Sequence, residues 1–391
     1  MFSLPFASRK EKTIAVLDVG SGSVGYCLVQ VGKNASPKIL ASERLVLPFE
    51  ERTAEQAQSA VLALLSEACE KAVSVYVQAL GQKGAPPISA SYAILRAPWV
   101  RSEFAKAQTE FETDQRITEE VLGKLEKQVL ASESPPTPVV ALQTSKVNKQ
   151  NLFEAGVVSV NLNGYATRKS LGKFAHSVSV TALLSECESG FYTKINDTLH
   201  SFFSFSKPNL RSTTRALLSL LQDSDFRSRD RMIIDVENEA TNFVVMRKGI
   251  VAENFLVPEG TKSILARISS GPGEETLSLM RMMSRGTCST SACEKMNSSL
   301  ARIEPELVKT FGDALGRLVS TRRLPNELLL IAEPELSQWL SVFFSRIDFC
   351  QFTLTTKPFT PTILNSETPG AIDAGLGVAV SFVNREAQST D

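Results

Sequence analysis

The sequence predicts an α/β protein made of two similar halves, and three features of its 391 residues carry that prediction. An apolar strand at 13–18 ends in an aspartate, turns through small residues and returns as a second strand at 24–31. The same strand–aspartate–turn–strand unit recurs at 231–247. Helical segments follow each copy and a small-residue helix closes the chain, so we interpret the pattern as an internal duplication.

Length and composition indicate a globular protein of more than one domain. A chain of 391 residues is too long for one compact core, and 43% hydrophobic with 21% charged residues is typical of a folded protein. The 42 basic residues balance the 42 acidic ones, which argues against a nucleic-acid-binding role. No apolar run approaches the roughly 18 residues of a membrane helix, and the N-terminus does not resemble a signal peptide. We therefore expect a cytoplasmic protein without a transmembrane segment.

Cysteine and histidine offer little for catalysis or metal binding. The six cysteines include no CxxC pair, and the closest two, Cys288 and Cys293, have no neighbouring histidine to complete a metal site. We expect free thiols. With His176 and His200 as the only histidines, His-based nucleophilic catalysis has almost nothing to work with.

The first half contains the elements of one lobe and an additional segment. Strands are expected at 13–18, 24–31 and 38–47, and a helix at 53–80 has apolar residues at helical spacing. A Gly/Pro-rich break at 81–87 marks a boundary. Beyond it we predict a strand at 90–97, a helix at 118–130, strands at 139–146, 154–162 and 174–184, and helices at 188–204 and 212–222.

The second half repeats the order of strands followed by helices. The second copy of the hairpin has strands at 232–235 and 241–247, and its first strand also ends in an aspartate. The remaining predictions are a helical segment at 261–284 that is interrupted near 271–273, a helix at 291–320, a strand at 326–332, a helix at 335–344, a proline-flanked loop at 360–362 and a small-residue helix from 370.

The first turn has the composition of an anion-binding loop. Gly20, Ser21, Gly22 and Ser23 can present backbone N–H groups and hydroxyls to a phosphate, because no large side chain blocks the approach. Asp18, at the strand end, can hold a hydrated Mg²⁺ through water. An ordinary β-hairpin with a glycine turn is the alternative interpretation.

The order of these segments resembles the FtsA/PilM branch of the actin-like ATPase superfamily, which comprises bacterial proteins of cell division and type IV pilus assembly. The resemblance spans about residues 11–383 and is one of pattern and order. Besides the two hairpins and the closing helix, 111–121 and 156–175 look like parts of the SHS2 subdomain of FtsA. The resemblance implies an actin-like (ribonuclease H-like) fold of duplicated lobes with an inserted SHS2-type α+β subdomain.

The resemblance also implies how the chain is divided. We expect a flexible leader at 1–10, a first lobe formed by 11–85 and 186–230, an inserted SHS2-like subdomain at 86–185, a second lobe at 231–369, and a closing helix and tail at 370–391. The tail is polar and lacks the basic amphipathic helix with which FtsA binds the membrane.

A nucleotide site is implied at the two hairpin turns, with a hydrated Mg²⁺ near the two aspartates. The residues assigned to this site by resemblance are Asp18, Gly20, Ser21, Gly22, Ser23, Asp235 and Thr241, of which Asp18 and Asp235 would hold Mg²⁺ through water.

Two nucleotide-contacting loops depart from the superfamily pattern. Glu237, Asn238 and Glu239 stand where glycines are expected in the second turn, and Ala332-Glu333-Pro334 replaces the adenine-side glycines. Each close like-charge pair between a carboxylate and a polyphosphate costs about 1 kcal/mol or more in a partly buried site. We therefore predict weak or lost ATP binding, that is, a degenerate ATPase rather than an enzyme.

The leading functional hypothesis is an actin-fold scaffold or adaptor that resembles FtsA and acts in cell division at the cytoplasmic face of the bacterial membrane. A PilM-like component of type IV pilus assembly and an active ATP-binding actin-like ATPase are the alternatives. A binding module unrelated to both processes is a further hypothesis. The expected partners are cytoplasmic or membrane-bound division or pilus proteins, one of which would hold the chain at the inner membrane, and self-association is expected because relatives polymerise through their lobes.

Overall fold

The computed structural model describes residues 11–32, 35–80, 84–131, 150–167, 169–204, 207–221, 230–248, 250–269, 273–319, 322–364 and 371–390. The expected leader at 1–10 and the predicted strand at 139–146 lie outside the described residues. The domain boundaries that the resemblance implies stay predictions.

The strands and helices alternate along the chain as in an α/β protein. In chain order the strands are β1 (Lys12–Val19), β2 (Ser23–Val31), β3 (Lys38–Val46), β4 (Ile88–Leu95), β5 (Val100–Arg116), β6 (Gln150–Leu162), β7 (Tyr165–Thr167), β8 (Phe174–Glu188), β9 (Asn209–Ser212), β10 (Arg231–Val236), β11 (Thr241–Arg247), β12 (Ile250–Val257), β13 (Glu327–Ile331) and β14 (Thr360–Ile363). The helices are α1 (Ala54–Val75), α2 (Glu119–Ala131), α3 (Ser189–Phe202), α4 (Thr213–Leu220), α5 (Thr261–Ile268), α6 (Gly273–Ser284), α7 (Thr290–Leu318), α8 (Pro334–Phe344) and α9 (Ala374–Thr390).

Two five-stranded sheets have the same topology, which confirms the predicted duplication. The first sheet has the order β3-β2-β1-β4-β9 and the second has the order β12-β11-β10-β13-β14. In each, the central strand is antiparallel to the second strand of its hairpin and parallel to the strand on its other side. Parallel neighbours and helices on the faces bury the central strands, which explains why β1 and β10 are almost continuously apolar.

A third sheet, with the order β5-β8-β6-β7, is antiparallel throughout and carries α2 on one face. It is inserted between β4 and α3 in the chain. β4 and the following Arg96 lie within the range 86–185 predicted for the subdomain, but β4 pairs with β1 in the first sheet, so both are counted with the first lobe below. The longest strand of the third sheet, β5, covers a charged stretch for which the sequence predicted no strand. β5 forms because it pairs along its length with the more apolar β8, so that a partner distant in sequence outweighs the weak local pattern.

Local sequence explains where the other elements begin and end. Thr53 caps α1 through a reciprocal pair of hydrogen bonds with Gln56, and the apolar positions of α1 face the first sheet. A single π-helical turn at Tyr76–Leu80 directly follows α1. Together the two cover the range 53–80 that was predicted as helix. The predicted interruption near 271–273 separates α5 from α6.

Three expectations were wrong. The residues 360–362 were predicted as a loop but form β14, because β13 offers a parallel partner. The end of the chain was predicted as a polar tail, but α9 extends through it to Thr390, and Phe382 and Val383 are buried. Cys288 and Cys293 were expected as free thiols but form a disulfide in the turn between α6 and α7, with a Cα–Cα distance of 5.9 Å.

The two lobes share one apolar core. β1 and β4 of the first sheet, β10, β11 and β13 of the second, and the helices α4 and α9 all contribute buried residues to it. Separate cores lie under α1 and α3 in the first lobe and under α5 to α8 in the second. The two hairpin turns lie next to each other where the two lobes meet, at the base of the interlobe cleft expected for this fold.

Candidate functional site

Both lobes contribute a four-residue hairpin turn of the same geometry to the cleft. The first runs from Gly20 to Ser23 and is closed by a hydrogen bond from Gly20 N to Ser23 O of 3.0 Å. The second is closed in the same way, from Glu237 N to Ala240 O, at 2.8 Å. The preceding aspartates occupy equivalent positions, since Asp18 lies opposite Gly25 and Asp235 lies opposite Asn242. The duplicated pattern in the sequence therefore corresponds to duplicated geometry.

The structure brings the two turns into direct contact. Ser21 Oγ accepts a hydrogen bond of 3.2 Å from the backbone N–H of Glu239. Gly22 lies against Asn238 so closely that a Cβ at position 22 would be 2.5 Å from the Asn238 Cγ. Only a glycine allows this approach. The small residues of the first turn thus accommodate the second turn.

The N-terminus of α5 also holds the second turn through backbone hydrogen bonds. The backbone N–H of Thr261 donates to Glu237 O at 2.8 Å, and that of Lys262 donates to Asn238 O at 3.0 Å. The first N–H groups of a helix otherwise need a partner from outside the helix, and here the turn carbonyls supply it. Thr241, assigned to the site from the sequence, is buried, and its hydroxyl donates to Glu259 O at 2.6 Å. It therefore connects β11 to the residues before α5.

Arg96 lies between the two aspartates and was missed by the sequence argument. It follows β4, and its backbone N–H donates to Val19 O at 3.0 Å. Its guanidinium is 2.8 Å from Asp235 Oδ1, 2.5 Å from Glu237 Oε1 and 3.5 Å from Asp18 Oδ2. All four side chains are buried. One cation of the first lobe thus pairs with two acidic residues of the second.

Arg44, on β3, is the second cation that the sequence argument missed. Its guanidinium is 2.5 Å from Asp18 Oδ2 and 2.8 Å from Asp373 Oδ2, and it donates to Ser23 Oγ at 2.9 Å. Asp373 precedes α9 and also accepts a hydrogen bond of 2.9 Å from the backbone N–H of Leu376. The N-terminus of α9 therefore joins the same ionic cluster.

Carboxyl groups outnumber guanidinium groups in this ionic cluster, and the pKa values of several of these carboxyl groups are shifted. The cluster contains the carboxyl groups of Asp18, Asp235, Glu237, Glu333 and Asp373 and the guanidinium groups of Arg44 and Arg96.

Burial outweighs the attraction of Arg96 and raises the pKa of Glu237 to about 8, and burial likewise raises the pKa of Glu333. Burial opposes ionisation of Asp373 too, but Arg44 outweighs it and lowers the pKa of that carboxyl. The charges of both arginines are maintained, since Asp18 and Asp373 raise the pKa of Arg44 and Asp235 and Glu237 raise that of Arg96 despite burial.

The structure thus brings together the predicted residues of both turns. However, the carboxylates of Asp18 and Asp235 and the hydroxyls of the predicted serines and threonine already have partners within the protein. Asp18 and Asp235, expected near Mg²⁺, pair with guanidinium groups. In the described part of the chain, no three His, Cys, Asp or Glu side chains are arranged to hold a metal ion. Among the same residues, no helix is both long enough and apolar enough to cross a membrane.

Three solved structures are similar to this chain to different degrees. A PilM–PilN type IV pilus biogenesis complex matches with a TM-score of 0.56 and 14% identity, over 96% of this chain and 98% of that chain. A Bacteroides thetaiotaomicron protein with an actin-like ATPase fold matches with a TM-score of 0.41 and 10% identity, over 97% and 99%. The ethanolamine utilization protein EutJ from Carboxydothermus hydrogenoformans has a TM-score of 0.45 and 11% identity, over 97% and 90%.

The duplicated topology, together with the match to the PilM–PilN complex, gives the chain an actin-like fold. The predicted α/β fold of duplicated actin-like lobes is therefore confirmed, while the SHS2-type character of the inserted sheet stays a prediction. Neither protein-family models nor curated protein sequences match this chain.

Proposed function

We propose that this protein is an actin-fold adaptor whose cleft is held closed by its own side chains, without nucleotide, and which acts by binding other proteins. The observation that carries the proposal is the position of Arg96 between Asp18 and Asp235, with a further contact to Glu237. A side chain of the first lobe here makes the ionic connection to the second lobe.

Mg·ATP fits this set of residues poorly. A hydrated cation at Asp18 and Asp235 would compete with two guanidinium groups that are already within ion-pair distance. A triphosphate would have to separate the two turns and approach Glu239, whose carboxylate repels it. Opening the cluster would also leave buried carboxylates without partners, which costs several kcal/mol.

The inserted sheet is the surface that we propose for partner binding. Its outer strand, β7, has no strand neighbour on its far side in the described residues. A short sheet edge of this kind can accept an extended peptide through main-chain hydrogen bonds. In this proposal the inserted sheet, which was predicted from the sequence as an SHS2-like subdomain, binds the partner protein.

A role in pilus assembly is favoured over one in cell division. The likeness to the PilM–PilN complex extends over almost the whole of both chains, which supports a PilM-like adaptor at the cytoplasmic face of the inner membrane. The FtsA-like division role, placed first from the sequence, has no comparable support. Partners of this adaptor would be proteins of the pilus assembly apparatus.

Calorimetric titration with Mg·ATP tests the proposal. The wild-type protein is expected to give no binding heat at millimolar ATP, and Asp18→Ala is expected to behave identically. Micromolar binding by the wild type that Asp18→Ala abolishes would contradict the proposal and favour a nucleotide-binding ATPase. Arg96→Gln is a useful third sample, because any ATP binding that appears only there identifies Arg96 as the group that excludes nucleotide.

A further inference from the structure

A group of cations lies on the second lobe, where the β11–β12 turn meets the chain that leads into β13. We call it the basic patch. Its residues are Arg247, Lys248, Arg322 and Arg323, with Tyr165 and Leu354 beside them.

Backbone hydrogen bonds hold the arginines of the basic patch together. Arg247 Nη2 donates to Arg322 O at 3.3 Å and to Arg323 O at 2.8 Å. Arg323 Nη1 donates to Gln351 O at 3.1 Å and to Thr353 O at 3.5 Å. These acceptors are neutral carbonyl oxygens, so the contacts fix the positions of the guanidinium groups without neutralising their charge.

Acidic side chains near the basic patch leave its positive charge largely intact. Asp230 accepts a hydrogen bond of 2.7 Å from the backbone N–H of Lys248, and Glu327 pairs with Arg231 at 3.0 Å. Within the described residues, no carboxylate forms an ion pair with a side chain of the basic patch. Lys248, Arg322 and Arg323 are exposed.

Two exposed apolar groups flank these cations. The Lys248 Nζ lies 5.6 Å from the centre of the Tyr165 ring, and Tyr165, on β7 of the inserted sheet, is 68% exposed. Leu354 is 51% exposed and is held by a hydrogen bond of 2.8 Å from its backbone N–H to Leu324 O. Large apolar side chains at such exposure, next to unpaired cations, indicate an interaction surface.

We propose that the basic patch is a docking surface for an anionic phospholipid membrane. Cations near an anionic lipid surface are attracted to the headgroups, while a tyrosine ring and a leucine side chain enter the boundary between headgroups and acyl chains. A nucleic acid fits less well, because Leu354 would gain nothing from it and the balanced charge of the whole chain provides no long-range attraction. The basic patch lies outside the cleft, so this inference does not depend on the nucleotide argument.

Vesicle co-sedimentation of the full-length protein tests this inference. Vesicles of phosphatidylcholine alone are compared with vesicles that also contain phosphatidylglycerol, at low and high salt. We expect binding to the anionic vesicles only, weakened by salt. Lys248→Glu/Arg322→Glu should lower the apparent affinity about 25-fold or more, since each cation near an anionic surface contributes about fivefold.

Two further variants make the result specific. Lys124→Glu/Lys127→Glu changes the same charge at two exposed positions of α2, and it should bind like the wild type. Tyr165→Ser/Leu354→Ser removes the apolar contacts at exposed positions and should weaken vesicle binding with all cations retained. Melting curves establish that each variant is folded.

Three outcomes would overturn the proposal. One is no binding to anionic vesicles, and another is equal loss in both charge-reversal variants, which would reveal a non-specific charge effect. The third is binding to a fluorescent DNA duplex, lost in Lys248→Glu/Arg322→Glu, without any vesicle binding. That result would assign the basic patch to nucleic acid.

Discussion

At the scale of single residues, Arg96 is the side chain that links the acidic groups of the two lobes. Its guanidinium reaches two acidic side chains of the other lobe, and all of these groups are buried. Because a buried carboxylate without a partner is costly, Arg96 and the acidic residues depend on each other. Such a cluster does more to define one arrangement of the lobes than to add net stability, since desolvation offsets much of the attraction.

Removing Arg96 should therefore destabilise the protein strongly. For Arg96→Ala we expect the free energy of unfolding to fall by about 3–5 kcal/mol, because the Asp235 carboxylate stays buried without its cation. Urea denaturation measures the change. The control is Arg52→Ala, whose partner Glu50 is exposed, and it should cost less than about 1 kcal/mol. Equal effects of the two substitutions would contradict this account of the cluster.

Glu237 should make stability depend on pH. Burial raises its pKa from 4.5 to about 8, so between these values the folded protein holds a proton that the unfolded chain has released. The contribution of Glu237 is therefore fully present below about pH 4.5 and is lost as pH rises through about 8. Glu237→Gln should flatten this decline in urea denaturation curves across the range. A decline of the same slope in the variant would show that Glu237 is not its source.

At the scale of elements, close packing explains where α9 begins. A Cβ at Gly375, in the first turn of α9, would lie 2.6 Å from Arg96 Nη1 and 2.6 Å from Asp18 Oδ2. The helix can approach the ionic cluster only because this position lacks a side chain. Asp373 then accepts a hydrogen bond from the first turn of α9, so the start of the helix and the cluster stabilise each other.

The same substitution at two glycines should have opposite effects. Gly375→Ala should lower the free energy of unfolding by about 1–3 kcal/mol, because the new methyl group displaces Arg96 or Asp18. Gly123→Ala, in the interior of α2 with open space around it, should raise it by up to about 1 kcal/mol through helix propensity. Thermal melts of both variants test these two expectations. If both substitutions destabilise the protein, the space around each glycine does not decide whether an added methyl group stabilises or destabilises it.

Local pattern predicted most elements, and its failures share one cause. Apolar periodicity is a property of neighbouring residues, so α1, α7 and the two hairpins could be predicted from the sequence. β5 and β14 depend on partners that are distant in the chain, and a charged or proline-flanked segment gives no local indication of such a partner.

The candidate site was predictable in part for the same reason. The duplicated hairpins indicated where Asp18 and Asp235 would meet. Arg96 is 78 residues from Asp18 and 139 residues from Asp235 in sequence, and nothing in its local context distinguishes it from other arginines. The acidic residues in the second turn indicated that the site differs from a nucleotide site. They did not indicate that Arg96 of the other lobe lies between the two aspartates.

At the scale of the whole molecule, further contacts join the two lobes away from the ionic cluster. Phe49 of the first lobe donates its backbone N–H to Glu274 Oε1 at 2.8 Å, and its ring packs on Gly273. Lys262 of the second lobe lies 3.9 Å from Glu51 of the first. Together with the shared core under α4 and α9, these contacts favour one closed arrangement of the lobes.

Whether Arg96 holds the lobes in one closed arrangement can be measured as the distance between a spin label on each lobe. Spin labels on unnatural amino acids at Glu70, on α1, and Lys309, on α7, avoid the six native cysteines. Both positions are exposed. We predict a single narrow distance distribution for the otherwise unchanged protein, unaltered by Mg·ATP, and a broader one for Arg96→Gln. A broad distribution that narrows when Mg·ATP is added would contradict the claim, because nucleotide and not Arg96 would then be closing the cleft.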